Sequence, residues 1–469
     1  MLISPGELSK KMLNFSYSYF LVDARNDRES YFALSVEQLK ENPLCVAGVF
    51  LNYIMEGKLK EAWDIIDLIP EESTPGRNFF LKKGLVLVHP EVTWKEFIET
   101  LDLFRRLGIS ISSVVLTAAR PTLLNGFNDF TRLGPFLEKR KDLIIEYVSH
   151  LYGKECAPFI YKLCLAEYYY QINNLLESEV LVSHVIKEFD AKSERRLLFA
   201  ALSLQSRILL TQGRTVNAES YIQDIRKLVK EAGKAEFSYN IDAAEVKCAF
   251  YEGNYSLVNE WFKNNAPDEF SDFNMLDLYR YMIKIRCYII TEKYAAVVAL
   301  TEKLRPLLIL GKRHMDLCEI DILLAVSFYN AGKKDLAFEA LGRALKLVKR
   351  RKYYRLIADE GEAVIHLLIE YVNLKGSSHF LMDLIKITRE MAIKHPLYLK
   401  VQYENNKVFS PMEIDVLKLL EQGKTKEDIG EYFFISVNTV KYHIKKIYGK
   451  LGVSSAHQAV WKARISGII

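Results

Sequence analysis

The feature that most constrains this chain is a repeat. Between residues 156 and 350, an apolar run of helical character ends at a polar or glycine turn, and a small or mid-sized residue follows five positions later. The turns fall at Asn173, Gly213, Gly253, Lys293 and Gly332, at spacings of 40, 40, 40 and 39 residues. The residues five later are Ser178, Ala218, Val258, Val298 and Ala337, and Gly57 with Ala62 shows the same offset near the N-terminus. Each such period describes a helical hairpin. A turn residue at positive φ ends the first helix, and a small residue early in the second lets the two backbones approach. One hairpin cannot bury its own apolar surface, so neighbours must stack into a superhelix.

The flanking runs have the 3.6-residue period of helices. Leu198, Ala201, Leu202, Ser206 and Leu209 share one face, broken by Gln205, and Ile322, Ala325, Val326 and Tyr329 share another. Strand signals are almost absent, so the fold class is all-α. Residues from about 40 to 395 read as a solenoid of tetratricopeptide-like pairs. The expected divisions are an N-terminal helical region at 1–155, the repeats at 156–395, a linker at 396–403 and a C-terminal domain at 404–469. The linker stretch HPLYLKVQYENNKV, polar and carrying Pro396, reads as a hinge. Arrays of this kind bind peptides, proteins or small ligands on their inner faces. Most of the 27 Tyr and 25 Phe fill space between helices, so no ligand residue is singled out there.

Composition narrows the class further. The six cysteines include no CxxC pair, which argues against a zinc site or a disulfide framework. The N-terminus has no basic start followed by an apolar run and a small-residue cleavage site. No run of 18 apolar residues offers a membrane span. A cytoplasmic protein without membrane contact is therefore expected. The nine histidines are dispersed, with no HExxH, and pairs such as Glu71–Glu72 read as surface charge. No enzyme and no cofactor is expected. The net charge of +5 is unevenly spread: Asn405–Ile469 holds ten Lys and Arg against six Asp and Glu. A nucleic-acid footprint has this concentration of positive charge.

That C-terminal stretch carries the sharpest signal. Ser410, Pro411 and Glu413 start a helix with a capping box, which Gly423 stops. Thr425 and Asp428 form a second box. Ser436 caps a third helix reaching about Lys450 before Gly452. Ser455 and Gln458 box a fourth, ended by Gly467. The second and third helices flank a short turn, FFIS, which is the helix-turn-helix arrangement. On the third helix, Val440, Ile444, Ile447 and Leu451 share a stripe that packs on Leu417, Leu420, Ile429 and Ile435. Asn438, Lys441, Tyr442 and Lys445 fall near the opposite side. Lysines reach guanine acceptors or phosphates, asparagine reads adenine, and a tyrosine ring meets a thymine methyl. From Val437 to Lys450 there are four lysines and no acid, unlike an ordinary solvated helix. His443, at the edge of the core stripe, reads as a packing residue.

The segment resembles the LuxR-type effector domain of bacterial regulators. The residues carrying the likeness are Glu413, Val416, Leu417, Leu420, Gly423, Ile429, Ile435, Ser436, Thr439, Val440, Lys441, His443, Ile447, Lys450, Leu451, Gly452, Val453, Ala459 and Val460. The resemblance implies base contacts near Lys441, Tyr442 and Lys445 and backbone contacts near Thr425, Lys426, Ser436 and Thr439. It also implies dimerisation on DNA through the last helix. Three positions depart from the pattern: Met412 and Ala456 replace customary arginines, and Glu427 a customary lysine. Phosphate contacts are accordingly expected from Lys424, Lys446 and Lys450. On the last helix Ala456, Ala459, Val460 and Ala463 lie along one face, where small side chains let a second copy approach. The alternative is that this face packs on the first helix of its own domain.

The stretch Leu116–Glu138, followed by hairpins and a LuxR-type end, is similar to the solenoid part of maltose-activator (MalT) type regulators. Those regulators usually begin with an ATPase module. Here no GxxxxGK[ST] occurs, and the one Gly-Lys-Thr, at Gly423–Thr425, has Lys418 where the first glycine should be. An ATP-driven oligomer switch is not expected. The resulting expectation is a transcriptional activator. Its array senses an unidentified small molecule, peptide or protein, and its C-terminus binds promoter DNA as a homodimer and contacts RNA polymerase. The competing reading is an interaction scaffold or antagonist with secondary DNA contact.

Overall fold

A computed structural model describes residues 2–13, 26–71, 76–88, 99, 102–103, 106, 131, 134–188, 195–231, 238–310, 312–400, 409, 411–465 and 468–469. The expectations placed on Ser410, Gly467, linker residues 401–403 and most of Leu116–Glu138 lie outside these residues. Among those described there is no strand, and no helix is long and apolar enough to cross a membrane. The chain divides into two compact units: Met1–Arg286 with Tyr294–Tyr398, and Leu399–Ile469 with the short stretch Cys287–Lys293.

The first unit opens with α1 (Pro5–Leu13), α2 (Arg28–Phe32), α3 (Val36–Glu41), α4 (Pro43–Met55), α5 (Leu59–Ile66), α6 (Arg77–Val88), α7 (Gly134–Lys139) and α8 (Lys141–Tyr152). The repeats follow as α9 (Ala157–Gln171), α10 (Leu175–Glu188), α11 (Arg195–Thr211), α12 (Thr215–Glu231), α13 (Ser238–Glu252), α14 (Tyr255–Asn264), α15 (Leu278–Ile290), α16 (Tyr294–Leu310), α17 (His314–Asn330) and α18 (Lys334–Arg351). A short α19 (Tyr354–Ala358) leads to α20 (Gly361–Lys375) and α21 (His379–Lys394). The pairs α4–α5, α9–α10, α11–α12, α13–α14, α17–α18 and α20–α21 pack as antiparallel hairpins.

Four of the five expected repeat turns sit where the spacing places them, with Asn173, Gly213, Gly253 and Gly332 at φ of 65°, 77°, 72° and 74°. The fourth turn is shifted by one: Glu292, not Lys293, holds the positive φ, at 56°. The hydrogen bonds define the register. Lys293 N donates to Tyr288 O at 2.9 Å and Glu292 N to Ile289 O at 3.2 Å, as Arg214 N does to Leu209 O and Gly213 N to Leu210 O, both at 3.0 Å. This is the Schellman closure of a helix C-terminus. The residue five beyond the turn is then Val297, which is fully buried, rather than the half-buried Val298. Ser178, Ala218, Val258, Ala337 and Ala62 are fully buried too. The closeness they permit is visible in Ser178 Oγ donating to Ala166 O at 2.7 Å and Ser206 Oγ to Ala218 O at 3.0 Å, across their hairpins.

The first helices of the hairpins are buried more widely than a single stripe. Every residue from Asp316 to Ser327 of α17 is buried, as are residues 200–206 of α11, including Gln205. Such helices are clasped from several sides. The second helices keep a one-sided pattern, as with Ala337, Ala340, Leu341, Ala344, Leu345 and Val348 on α18.

The array's last helices fold back against its early ones. Tyr170 Oη on α9 donates to Asp359 at 2.7 Å, and Tyr251 Oη on α13 donates to the Asp359 carbonyl at 2.9 Å. Arg355 on α19 reaches Asn173 at 3.1 Å. The chain beyond α21 is held as firmly: His395 Nε2 lies 2.7 Å from Leu210 O, and the Tyr398 ring stacks on Tyr251 with centroids 4.5 Å apart. His395 and Tyr398 are buried. The expected hinge therefore does not begin at residue 396: His395 and Tyr398 belong to the array's interior packing, with Pro396 and Leu397 exposed between them. Pro396 does start a turn, at residues 396–399, but His395 and Tyr398 on either side of Leu397 anchor that turn to the array.

At the centre of this packing Arg286 pairs with Glu360 and Glu319 and donates to Tyr398 Oη at 3.1 Å. Lys247 lies 3.3 Å from Glu360 and also donates to Tyr398 Oη, with the Tyr251 and Tyr398 rings near its ammonium. Burial first, and then the neighbouring Arg286, push Lys247 down to about 7 from its ordinary 10.5. A base whose folded value is depressed leaves the unfolded chain binding the extra proton between those two values. Its penalty is fully present below pH 7 and is relieved as pH rises toward 10.5. Urea unfolding of the array is expected to show stability climbing from pH 7 to about 9, and Lys247→Met to flatten that climb. An unchanged slope in the variant counts against a buried, half-protonated lysine.

Candidate nucleic-acid interface

The second unit contains α22 (Pro411–Glu421), α23 (Lys426–Phe433), α24 (Val437–Leu451) and α25 (Ala456–Ile465). Its caps follow the sequence closely. Thr425 Oγ1 accepts from Asp428 N at 3.1 Å, and the Asp428 carboxylate accepts from Thr425 N at 2.9 Å, closing the box at the start of α23. That backbone hydrogen bond, with the one from the Thr425 side chain, lowers the Asp428 carboxyl below its usual range. Ser436 Oγ accepts from Thr439 N at 3.2 Å and caps α24. Gly423 and Gly452 close α22 and α24 at φ of 75° and 63°. The cap of α25 is only half as expected. Ser455 accepts from Gln458 N at 3.2 Å, but the Gln458 side chain returns to Ser454 N, also at 3.2 Å, one residue earlier than a reciprocal box requires.

The core is built from Val440, Ile444, Ile447 and Leu451 of α24 against Val416 and Leu417 of α22 and Ile429 of α23, with Leu420 and Ile435 at its margin. The close approach between α23 and α24 depends on Gly430. A Cβ there would stand 3.0 Å from the Ile435 carbonyl oxygen, so with any larger residue the turn has to give way slightly. The turn itself places Phe434 at φ 54° with 96% of its surface exposed. Nothing in the sequence singled it out, because a phenylalanine inside an FFIS turn reads as core.

With that core fixed, Asn438, Lys441, Tyr442, Lys445 and Lys446 all lie exposed on α24. Lys446 Nζ sits 5.4 Å from the Tyr442 ring centroid. Ser436 is exposed and Thr439 half-buried, their hydroxyls 2.8 Å apart. Lys424, Thr425 and Lys426 are exposed at the start of α23. These ten positions therefore reach solvent. Lys450 differs: its ammonium pairs with Glu413 and lies 5.2 Å from the Phe409 ring, and only 17% of its side chain is exposed. Glu413 is buried, so leaving it without a cation is costly. Lys450 is thus a strut between α22 and α24, which removes it from the expected phosphate contacts.

The expected dimer face also needs correction. Ala459 and Ala463 are fully buried in the domain's own core. Their small size serves the packing of α25 on α22 and α24. Ala456 and Val460 are half-buried, and Trp461 is 51% exposed on the outer side. His443 stays at the edge of the core, half-buried.

A well-packed four-helix unit that presents an acid-free lysine face on the second helix of a helix-turn-helix defines a class, the DNA-binding transcription regulators. Comparison with known families agrees. Residues 407–463 match the model of bacterial regulatory proteins of the luxR family, and residues 149–374 match that of the MalT-like TPR region. The chain combines a MalT-like tetratricopeptide region with a C-terminal luxR-family helix-turn-helix domain. The match to the array covers residues 149–374, the repeats, and Leu116–Glu138 lies outside it.

Proposed function

We propose that the chain is a one-component transcriptional activator of the cytoplasm, in which the array senses an effector and the C-terminal unit, bound to a promoter, contacts RNA polymerase. The observation that carries the DNA reading is the exposed face of α24, fixed by a core on its opposite side. Asn438, Lys441, Tyr442 and Lys445 enter the major groove and meet base edges. Lys424, Thr425, Lys426, Ser436, Thr439 and Lys446 meet phosphates, which position the helix without reading sequence. The sensory role of the array is supported by its likeness to the MalT-like region and by a cavity within it.

On DNA the chain acts as a two-fold dimer through the outer side of α25, where Val460 and Trp461 remain accessible in place of Ala459 and Ala463. A two-fold contact presents the same patch from both copies. The operator is then an inverted repeat with half-sites about 10 base pairs apart. Trp461→Ala is expected to convert a footprint covering both half-sites into one covering a single half-site, with the domain still folded. A two-site footprint unaffected by the substitution contradicts this face.

The test of the whole reading separates the two units. A fragment of residues 399–469, which has its own core, is expected to bind the promoter with the full chain's preference and to ignore the inducing condition. A fragment that binds only when the array is present contradicts a separable sensor and reader.

A further inference from the structure

The cavity in the array has a register behind it. Glu167, Arg207, Lys247 and Arg286 each stand six residues before a repeat turn, counted from Asn173, Gly213, Gly253 and Glu292. Stacked repeats bring equivalent positions into a column, so three successive first helices, α11, α13 and α15, contribute a cation to one place. Arg207, Lys247 and Arg286 all line a cavity of about 80 Å³, with Glu319, Asp359 and Glu360 on its acidic side.

The three cations are not equally satisfied. Arg286 has Glu360, Glu319, Tyr398 and the Met282 carbonyl. Lys247 must share Glu360 with Arg286. The Arg207 guanidinium lies over the Tyr170 ring, 4.4 Å from its centroid. Among the described residues its buried Nη1 has no hydrogen-bond acceptor, the Glu167 carboxylate being 3.6 Å away. A buried guanidinium nitrogen without an acceptor is costly. An anion that bridges Arg207 and Lys247 relieves both.

We propose that this cavity binds a small monocarboxylate, held by Arg207 and Lys247, and that this carboxylate is the array's effector. The inference rests on the sensory reading of the array and gives it a ligand class. A single negative charge fits because the three acids in the lining repel a dianion. The remaining walls include Leu210, Ile222 and Ala244, which suit a short apolar body. The volume holds about two or three waters, which limits the guest to a few heavy atoms. Lys247 also donates to Tyr398, the last residue of the unit. A carboxylate that takes over this lysine competes directly with the hold on the chain leading to the DNA-binding domain. It also favours the protonated lysine, which burial disfavours.

The test is equilibrium dialysis of the full-length protein with radiolabelled acetate, propionate and pyruvate at constant ionic strength, with inorganic phosphate as competitor. One saturable site per chain is expected for at least one monocarboxylate. Arg207→Met and Lys247→Met should each weaken it at least about tenfold, and phosphate should not compete. A second measurement needs no variant. Calorimetry of the wild type at about pH 7–8, in buffers of differing ionisation enthalpy, should show proton uptake on binding, because the carboxylate raises the lysine's affinity for its proton. No saturable uptake of any of the three, uptake that both methionine variants leave intact, effective competition by phosphate, or binding without proton uptake overturns the site. Failure of the sensory reading looks different: carboxylate binding as expected, but DNA affinity unchanged by saturating carboxylate.

Discussion

Arg286→Met is expected to cost the array about 3–5 kcal/mol of stability, the usual penalty for removing one partner of a buried ion pair. Arg286 is 2% exposed and is the shared partner of Glu360 and Glu319. Burial alone would raise the Glu360 carboxyl; Arg286 and then Lys247 outweigh it and hold it down to about 2. That depressed acid stabilises the fold above its unfolded value and ceases to do so as pH falls toward 2. In the variant Glu360 keeps only Lys247 as a cation, and Glu319 loses its arginine. Adding Glu360→Gln should recover part of the loss, because it removes a buried charge that has lost one of its two cations. Urea unfolding at neutral pH measures both. A loss below about 1 kcal/mol for the single variant places this network at the surface in energetic terms and contradicts its structural role.

Replacing Lys441 or Lys445 by alanine is expected to weaken operator binding by about 1–3 kcal/mol each where the contact is to a base edge. Lys446→Ala, assigned to a phosphate, should weaken all sequences alike and lower the salt slope by about one. Lys450→Met supplies the contrast. Because its ammonium is committed to Glu413, it should lower the stability of the C-terminal unit while leaving the affinity of the folded protein close to wild type. Gel-shift titrations over a range of salt, with melting curves of the same variants, separate these outcomes. If Lys450→Met weakened binding as much as Lys441→Ala with no loss of stability, the assignment of Lys450 as a strut would be wrong.

What the sequence made legible follows from local physics. Positive φ at a helix end needs glycine or a tolerant residue, so Gly213, Gly253 and Gly332 marked their turns and Asn173 stood in for one. The fourth turn slipped because Glu292 occupies the left-handed position without a compositional sign, next to a lysine that fits the spacing equally well. The core stripe of α24 was readable because its spacing is a local period, and the caps at Thr425 and Ser436 because each binds a neighbour three residues away. The commitments of Lys450 and of Ala459 and Ala463 were not. The lysine's partner lies 37 residues distant, and a small-residue face looks the same whether it meets its own domain or a second copy. The return of α19 and of His395–Tyr398 into the array joins residues up to 189 positions apart, a pairing with no period to betray it. The cation column, by contrast, was present in the register itself, six residues before the second, third and fourth turns, and needed only the corrected position of the fourth turn to line up.

The reading that stands or falls first is that α24 reads DNA sequence through its exposed lysine face. The most direct measurement is selection of bound sequences from random duplex DNA by the full-length protein, run in parallel with Lys441→Ala and Asn438→Ala. The wild type should enrich one inverted-repeat motif, Lys441→Ala should lose information at one base pair of each half-site, and Asn438→Ala should lose it at a different one. Enrichment of no motif by the folded wild type, or an identical motif from all three proteins, contradicts it.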